Sequence, residues 1–189
     1  MAVRPIAPIG HPILRTPTRD VTVTELASAE IQTLIDDMID TMRDAAGAGI
    51  AANQVFAGVR IATIEVTSNP RYPYKPPIPL TVIVNPRWRP LDDETVVINE
   101  GCLSVPLRGD LVRSVTIEVE YLDRHGTPRT EVRRGLTAGT FQHEIDHLDG
   151  LLIVDRIDPR TLATWEQFEE HQRAAFVERI EGFVDRIGS

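Results

Sequence analysis

Residues 115–150 read VTIEVEYLDRHGTPRTEVRRGLTAGTFQHEIDHLDG, and within this stretch the apolar periodicity changes from that of a strand to that of a helix. Val115, Ile117, Val119 and Tyr121 alternate with polar residues, the period of two expected of a strand with one buried face. Asp123-Arg124-His125-Gly126 predicts a hairpin turn into a second strand over 130–133. From Leu136 to about Asp149 the pattern is helical, and Gly150 ends it. A strand pair thus runs directly into a helix, without the β-helix-β alternation of a parallel sheet.

Upstream, β-type runs cover 59–66, 80–84 and 95–98, and the first strand of the pair begins as early as Val112. The proline-rich segment 69–77 cannot be a strand interior and reads as a surface loop. Earlier still, Ile31, Leu34, Ile35, Met38, Ile39 and Met42 define one face of a helix. Thr24 or Ser28 would cap it, and Gly47 would end it by taking positive φ cheaply. Downstream, 151–154 reads as a short apolar strand. A last helix, about 159–187, starts with Pro at its first turn and buries Trp165, Phe168, Phe176, Ile180, Phe183 and Ile187. Several strands followed by late helices predict an α+β fold, and 189 residues predict one domain over 1–189.

Composition excludes several function classes. Hydrophobic content of 42% with 25% charged residues is that of a soluble globular chain rather than a disordered one. A net charge of −8 disfavours a nucleic-acid backbone, and hence specific DNA, as a partner. The cations are all Arg except Lys75. The one cysteine, Cys102, cannot form an intrachain disulfide, and neither a signal peptide nor a spanning apolar run is visible; a reducing cytoplasm is the expected location, with no membrane partner.

The chemistry lies in His143-Glu144-Ile145-Asp146-His147. Residues four apart share a helix face, so both imidazoles can reach one ion, while Glu144 beside the first ligand can reach water held there. The competing reading is a charged, exposed helix face. A tight site needs a third ligand and an open fourth position. His171, Glu166, Glu169 and Glu170 are conceivable donors, as is Cys102, which lies between Gly101 and Leu103 and would otherwise be a small buried hydrophobe. A thiolate would favour Zn²⁺ or Fe²⁺ over Mg²⁺ or Ca²⁺.

Three separated motifs resemble the peptide deformylase family. They are 47–54, GAGIAANQ, for Gly-x-Gly-x-Ala-Ala-x-Gln; 100–104, EGCLS; and 142–147, QHEIDH. The similarity extends from Gly10 to Arg156. It implies mostly antiparallel or mixed sheets packed around a central metal-binding helix. It also implies Cys102, His143 and His147 as ligands of one divalent ion, Fe²⁺ natively with Zn²⁺, Ni²⁺ or Co²⁺ as possible replacements.

By the same resemblance Glu144 is the general acid/base, and Gln54 with the Leu103 N–H holds the oxygen of the tetrahedral intermediate. The reaction implied is hydrolytic removal of the formyl group from the formyl-methionine of newly made polypeptides, by attack of a metal-bound hydroxide. The peptide pairs with a strand and places its methionine among Ala48, Gly49, Ile98, Leu136, Gly139 and Thr140. Ala48 and Gly139 are smaller than that pocket leads one to expect, so it is enlarged or filled from elsewhere. A one-residue gap after Pro106 aligns Arg108 with a substrate-facing Arg and Arg113 with one pairing Glu100 or Asp146 behind the metal. The ribosome exit region is a conceivable partner of the last helix, although such a helix more often covers the core. The alternatives are a metal amidase or peptidase of different scope, or a non-catalytic domain of the same fold.

Overall fold

The structure, a computed structural model, describes residues 2–67 and 74–187. A 3-10 turn at Pro12–Arg15 precedes helices α1 (Val23–Leu26) and α2 (Ala29–Asp44). Seven strands follow: β1 (Gly49–Ala51), β2 (Ile61–Val66), β3 (Ile78–Pro90), β4 (Thr95–Cys102), β5 (Val105–Ser114), β6 (Thr116–Leu122) and β7 (Pro128–Arg134). Helix α3 (Gly135–Leu148), β8 (Ala163–Thr164), α4 (Trp165–His171) and α5 (Arg173–Ile187) complete the chain. The strands form two antiparallel sheets, one in the order β1-β2-β3-β6-β7 and one in the order β4-β5-β8. The fold is α+β, as expected.

Helix α3 lies between the sheets. Ala138, Phe141, Ile145 and Leu148 pack with Ile64, Ile83, Ile117 and Val119 of the larger sheet. Leu136 packs instead with Ile98, Val115 and the C-terminal Phe168, Phe176, Ile180 and Phe183. Truncating a ring as deeply buried as Phe141 to alanine typically costs about 3–5 kcal/mol.

Several boundaries differ from the sequence expectation. The strand expected over 112–122 divides at the buried Val115, whose N–H leaves the ladder for the Glu94 carbonyl while its own carbonyl accepts from Gly135 N–H. Alternation reports which face is buried and is blind to a change of partner strand. Strand β3 continues past Val84 because Asn85 takes φ +53° at a register shift, where Pro86 needs no ladder N–H.

The strand expected over 151–154 is a 3-10 turn, Ile153–Asp155, tied down by Asp155 accepting from Leu152 N–H and pairing with Arg15. The last helix does not begin at 159. A 3-10 turn at Pro159–Thr161 leads into β8, which pairs with β5, and only then does Thr164 cap α4, with a break at Gln172 before α5. Of the loop expected over 69–77, residues 69–73 lie outside the described residues.

Helix α2 is capped by Ser28, whose hydroxyl accepts from Ile31 N–H at 3.3 Å. It stops at Asp44 rather than at Gly47, because Ala46 takes the left-handed conformation, φ +50°. Gly47 is small for another reason: a Cβ there would lie 2.9 Å from Leu103 Cδ1.

Candidate metal centre and active-site cleft

Cys102 ends β4 at an irregularity in the β4–β5 ladder. Gly101 pairs with Arg108 but Cys102 with Val105, leaving Pro106 and Leu107 of β5 without partners in β4. A bulge accommodates a proline because it needs no N–H there. It turns Leu107 and Arg108 to pair with β8, and the Leu103–Ser104 turn folds back so that Ser104 N–H donates to Cys102 Sγ at 3.4 Å.

From α3, His147 brings Nε2 to 3.2 Å from the same sulfur, and the His143 ring stands 5.0 Å from the His147 ring, centroid to centroid. The ligand atoms of Cys102, His143 and His147 all lie within 4.8 Å of one another. Tetrahedral bonds of 2.0–2.3 Å put ligand atoms about 3.5 Å apart, so the set fits Zn²⁺ or Fe²⁺ with small adjustments. Sequence left the third ligand open between Cys102 and downstream donors. Among the described residues the structure brings Cys102 to the two histidines.

Charged residues behind the triad hold it in place. His143 Nδ1 meets Glu100 Oε2 at 2.8 Å; Arg113 donates to both Glu100 oxygens at 2.9 and 2.8 Å and to Asp146 at 2.6 Å; Arg156 donates to Asp146 at 3.0 Å. Such a carboxylate fixes the ring so that the other nitrogen faces the ion. Burial pushes the Glu100 carboxyl up, but Arg113 and His143 outweigh it and hold it well below the usual carboxylate range. Arg113 is likewise lowered by burial yet held above the ordinary guanidinium value by Glu100 and Asp146.

Without an ion, burial lowers His143, but its bonds to Cys102 and Glu100 lift it well above the ordinary imidazole value. Binding a metal therefore displaces a proton. Burial drives His147 well below that value, which suits a neutral ligand.

Glu144 is 4% exposed, and burial raises its carboxyl to about 7. Its Oε2 has no hydrogen-bond partner and its Oε1 abuts β1, where a Cβ on Gly49 would lie 2.4 Å away. Gln54, on the 3-10 turn Ala52–Val55, is oriented by its Oε1 accepting from Ala51 N–H at 2.9 Å. That turns its Nε2 toward Ser104 Oγ at 3.0 Å and Cys102 Sγ at 3.7 Å.

These groups border a cleft of about 910 Å³. Ala48, Gly49, Gln54, Ile98, Leu103, Leu136, Gly139 and Thr140, all named from the sequence, line it. At Gly139 the space is filled rather than open, since a Cβ there would meet Ile98 Cδ1 at 3.1 Å.

Arg108 departs from its expected substrate-facing position. It is 1% exposed and stands outside the cleft lining, donating to Asn99 Oδ1 at 2.6 Å. Its guanidinium lies 4.2 Å from the Trp165 ring centroid and 3.6 Å from that of Phe168. The bulge that pairs it with β8 also turns it onto α4. Arg113 pairs with both carboxylates rather than with either one.

Sequence reasoning missed Ser104 as the partner of Gln54, and Tyr74, Lys75, Asn99 and Trp165 as cleft residues. The one available signal was that Lys75 is the sole lysine among the cations.

A family model described as polypeptide deformylase matches residues 3–163. Peptide deformylase 2 of Nostoc sp. is 41% identical over 168 residues, covering 88% of this chain and 93% of that protein. A peptide deformylase of Leptospira biflexa is 40% identical over 159 residues, covering 83% and 89%. Among solved structures, the class I type b peptide deformylase from Acinetobacter baumannii with Met-Ala-Ser bound superposes with a TM-score of 0.80 at 39% identity, covering 82% of this chain and 99% of that one. The peptide deformylase from Thermotoga maritima gives 0.74 at 34% identity, covering 84% and 100%.

Proposed function

The chain belongs to the polypeptide deformylase family and is a metal-dependent hydrolase that removes the formyl group from the N-terminal formyl-methionine of new polypeptides; we propose that Cys102, His143 and His147 hold its ion and that Glu144 moves the protons. When bound, the ion supplies Lewis-acid polarisation and lowers the pKa of the water it carries. The observation that carries the assignment is Glu144 Oε2, buried and without a partner beside three converging ligand atoms.

In the reaction the formamide C–N bond breaks, the water oxygen joins the formyl carbon to give formate, and the nitrogen leaves as the free amine. Glu144 takes a proton from the water and returns it to the leaving nitrogen. A carboxyl raised to about 7 by burial is matched to both halves of that exchange at neutral pH. Gln54 Nε2, already turned toward Cys102, and the Leu103 N–H donate to the carbonyl oxygen as it gains charge. Losing one such donor costs about 3 kcal/mol of barrier. Ala48, Gly49, Ile98, Leu136, Gly139 and Thr140 bind the methionine end of the peptide. Arg108 serves that binding indirectly, by fixing Trp165 in the cleft wall.

The resident ion in this reading is Fe²⁺, which the thiolate suits and a reducing cytoplasm preserves. Among the described residues no helix is long and apolar enough to cross a membrane. A ribosome exit region would meet α5 on its exposed side, because Phe176, Ile180 and Phe183 are spent on the core; Glu178 and Glu181 there favour a basic protein surface over RNA.

The test is formate release from formyl-Met-Ala-Ser by chain loaded anaerobically with Fe²⁺ or with Zn²⁺. Glu144→Gln is expected to lower kcat by about 10²–10⁴-fold with the ion retained, and the acetyl peptide to stay intact. Full activity in Glu144→Gln would remove the proton-transfer assignment, and a Zn²⁺ form faster than the Fe²⁺ form would remove Fe²⁺.

A further inference from the structure

Helix α3 starts without a side-chain cap. Arg134 stands at its N-cap position, where Ser, Thr, Asp or Asn would accept from the first turn, and it makes no such bond. Gly135 N–H is taken by the Val115 carbonyl, but the N–H groups of Leu136 and Thr137 have no acceptor among the described residues. That end of the helix borders a second cavity, of about 220 Å³, lined by Arg133, Arg134 and Thr137 and by Pro77, Ile78 and Pro79. It is separate from the metal centre, since His143 lies about 12 Å farther along the helix axis from Gly135.

An uncapped helix end attracts anions only weakly by itself. Thr137 adds an independent feature. The residue is 7% exposed, its hydroxyl has no hydrogen-bond partner among the described residues, and it lines this cavity. A hydroxyl that deep in a protein is normally answered. Two cations flank it. Arg134 is exposed and has no carboxylate partner among the described residues, while Arg133 pairs with Glu131 and keeps a buried Nε without a partner. Glu131 is itself held by Tyr121 Oη at 3.0 Å. In a chain of net charge −8, unanswered donors and cations gathered on one wall suit an anionic ligand.

We propose that this cavity binds a small phosphomonoester: Thr137 Oγ1 and the Leu136 and Thr137 N–H groups donate to the phosphate, Arg134 balances its charge, and its organic part lies against Pro77, Ile78 and Pro79. The phosphate supplies the cap that Arg134 cannot. It presents three acceptor oxygens to these donors, where a carboxylate presents only two.

The measurement is the amide chemical shifts of the Zn²⁺-loaded chain, titrated with phenyl phosphate and separately with inorganic phosphate at constant ionic strength. Phenyl phosphate is expected to move the Leu136 and Thr137 amides saturably, and to bind about three- to tenfold more tightly than the free ion because its ring covers the apolar wall. Arg134→Gln and Thr137→Val are each expected to weaken binding about tenfold. Thermal unfolding of both variants without ligand is expected to match that of the parent chain, which separates lost binding from lost fold. Shifts confined to the amides around Cys102 and Glu144 would put the phosphate on the metal and overturn the site. So would binding undiminished in both variants, or inorganic phosphate held as tightly as the ester.

Discussion

Helices α2 and α3 are of similar length, 16 and 14 residues, and both pack on the five-stranded sheet, yet they are stabilised in different ways. Helix α2 buries one stripe, Ile31, Leu34, Ile35, Met38, Ile39 and Met42, together with Asp37 and Thr41, and exposes Glu30, Arg43 and Asp44. Helix α3 is buried at every position but His143, with Gln142, Glu144, Asp146 and His147 among the buried residues. On α2, stability follows from apolar area. On α3, each buried polar group must be answered or it costs more than it contributes. Gln142 is answered by the Ser114 backbone at 3.1 and 2.9 Å, and Asp146 by Arg113 and Arg156. Glu144 Oε2 and His147 Nδ1 are not answered, and both belong to residues assigned above to the proposed reaction centre. The fully buried unanswered atoms of α3 therefore lie at and beside the converging Cys102, His143 and His147.

Substitutions in the two helices should separate these modes. Arg113→Met leaves Glu100 buried without its guanidinium partner and Asp146 with Arg156 alone; unfolding is expected to become easier by about 3–5 kcal/mol, and metal affinity to fall about 10–100-fold as His143 loses its orientation. Calorimetry with metal titration reads both quantities, and a loss of stability without loss of affinity would break the link between the ion-pair network and the site. Met38→Ala, on the apolar stripe of α2, is expected to cost about 2–5 kcal/mol while metal stoichiometry stays intact. A fall in stoichiometry there would show that the two helices are not independent.

The third prediction concerns pH. Glu144 ionises near 4.5 when unfolded and near 7 when folded without metal, so the folded chain favours the protonated carboxyl. Its contribution to stability is fully present below 4.5 and is lost as pH rises through 7. Glu144→Gln stays neutral throughout. The metal-free variant should thus match the parent near pH 4.5 and exceed it by up to about 3 kcal/mol above pH 8. A constant difference across that range, followed by urea denaturation, would contradict the buried-carboxylate account. The smallest effect is expected at the α2 cap, where Ser28→Ala should cost about 1 kcal/mol and leave activity unaltered.

The same contrast explains what was legible in the sequence. Helix α2 could be read nearly to its ends, because burial of one face writes itself into spacing, and only the use of Ala46 in place of Gly47 for the left-handed turn escaped. The His143–His147 pair was legible because its spacing carries the chemistry. Strand β1 was not, since of Gly49, Ile50 and Ala51 only Ile50 favours a strand, and the three owe their pairing to β2. The corner at Val115 and the inward turn of Arg108 were hidden for one reason: each depends on which distant strand supplies the partner. Lys75 entered the cleft from a proline-rich segment whose local sequence says only that it cannot be a strand.

Two sheet edges border the cleft. Strand β1 ends the order of one sheet and β4 that of the other, and residues of both line the same space. On an open surface such edges would invite other β-structured molecules to add on, with aggregation as the outcome. Sunk in a concavity, they are reached more readily by an extended chain than by the edge of another sheet. If the proposed substrate pairs with these edges, an N-terminus still extended and unpaired is accepted in preference to one already taken up into structure.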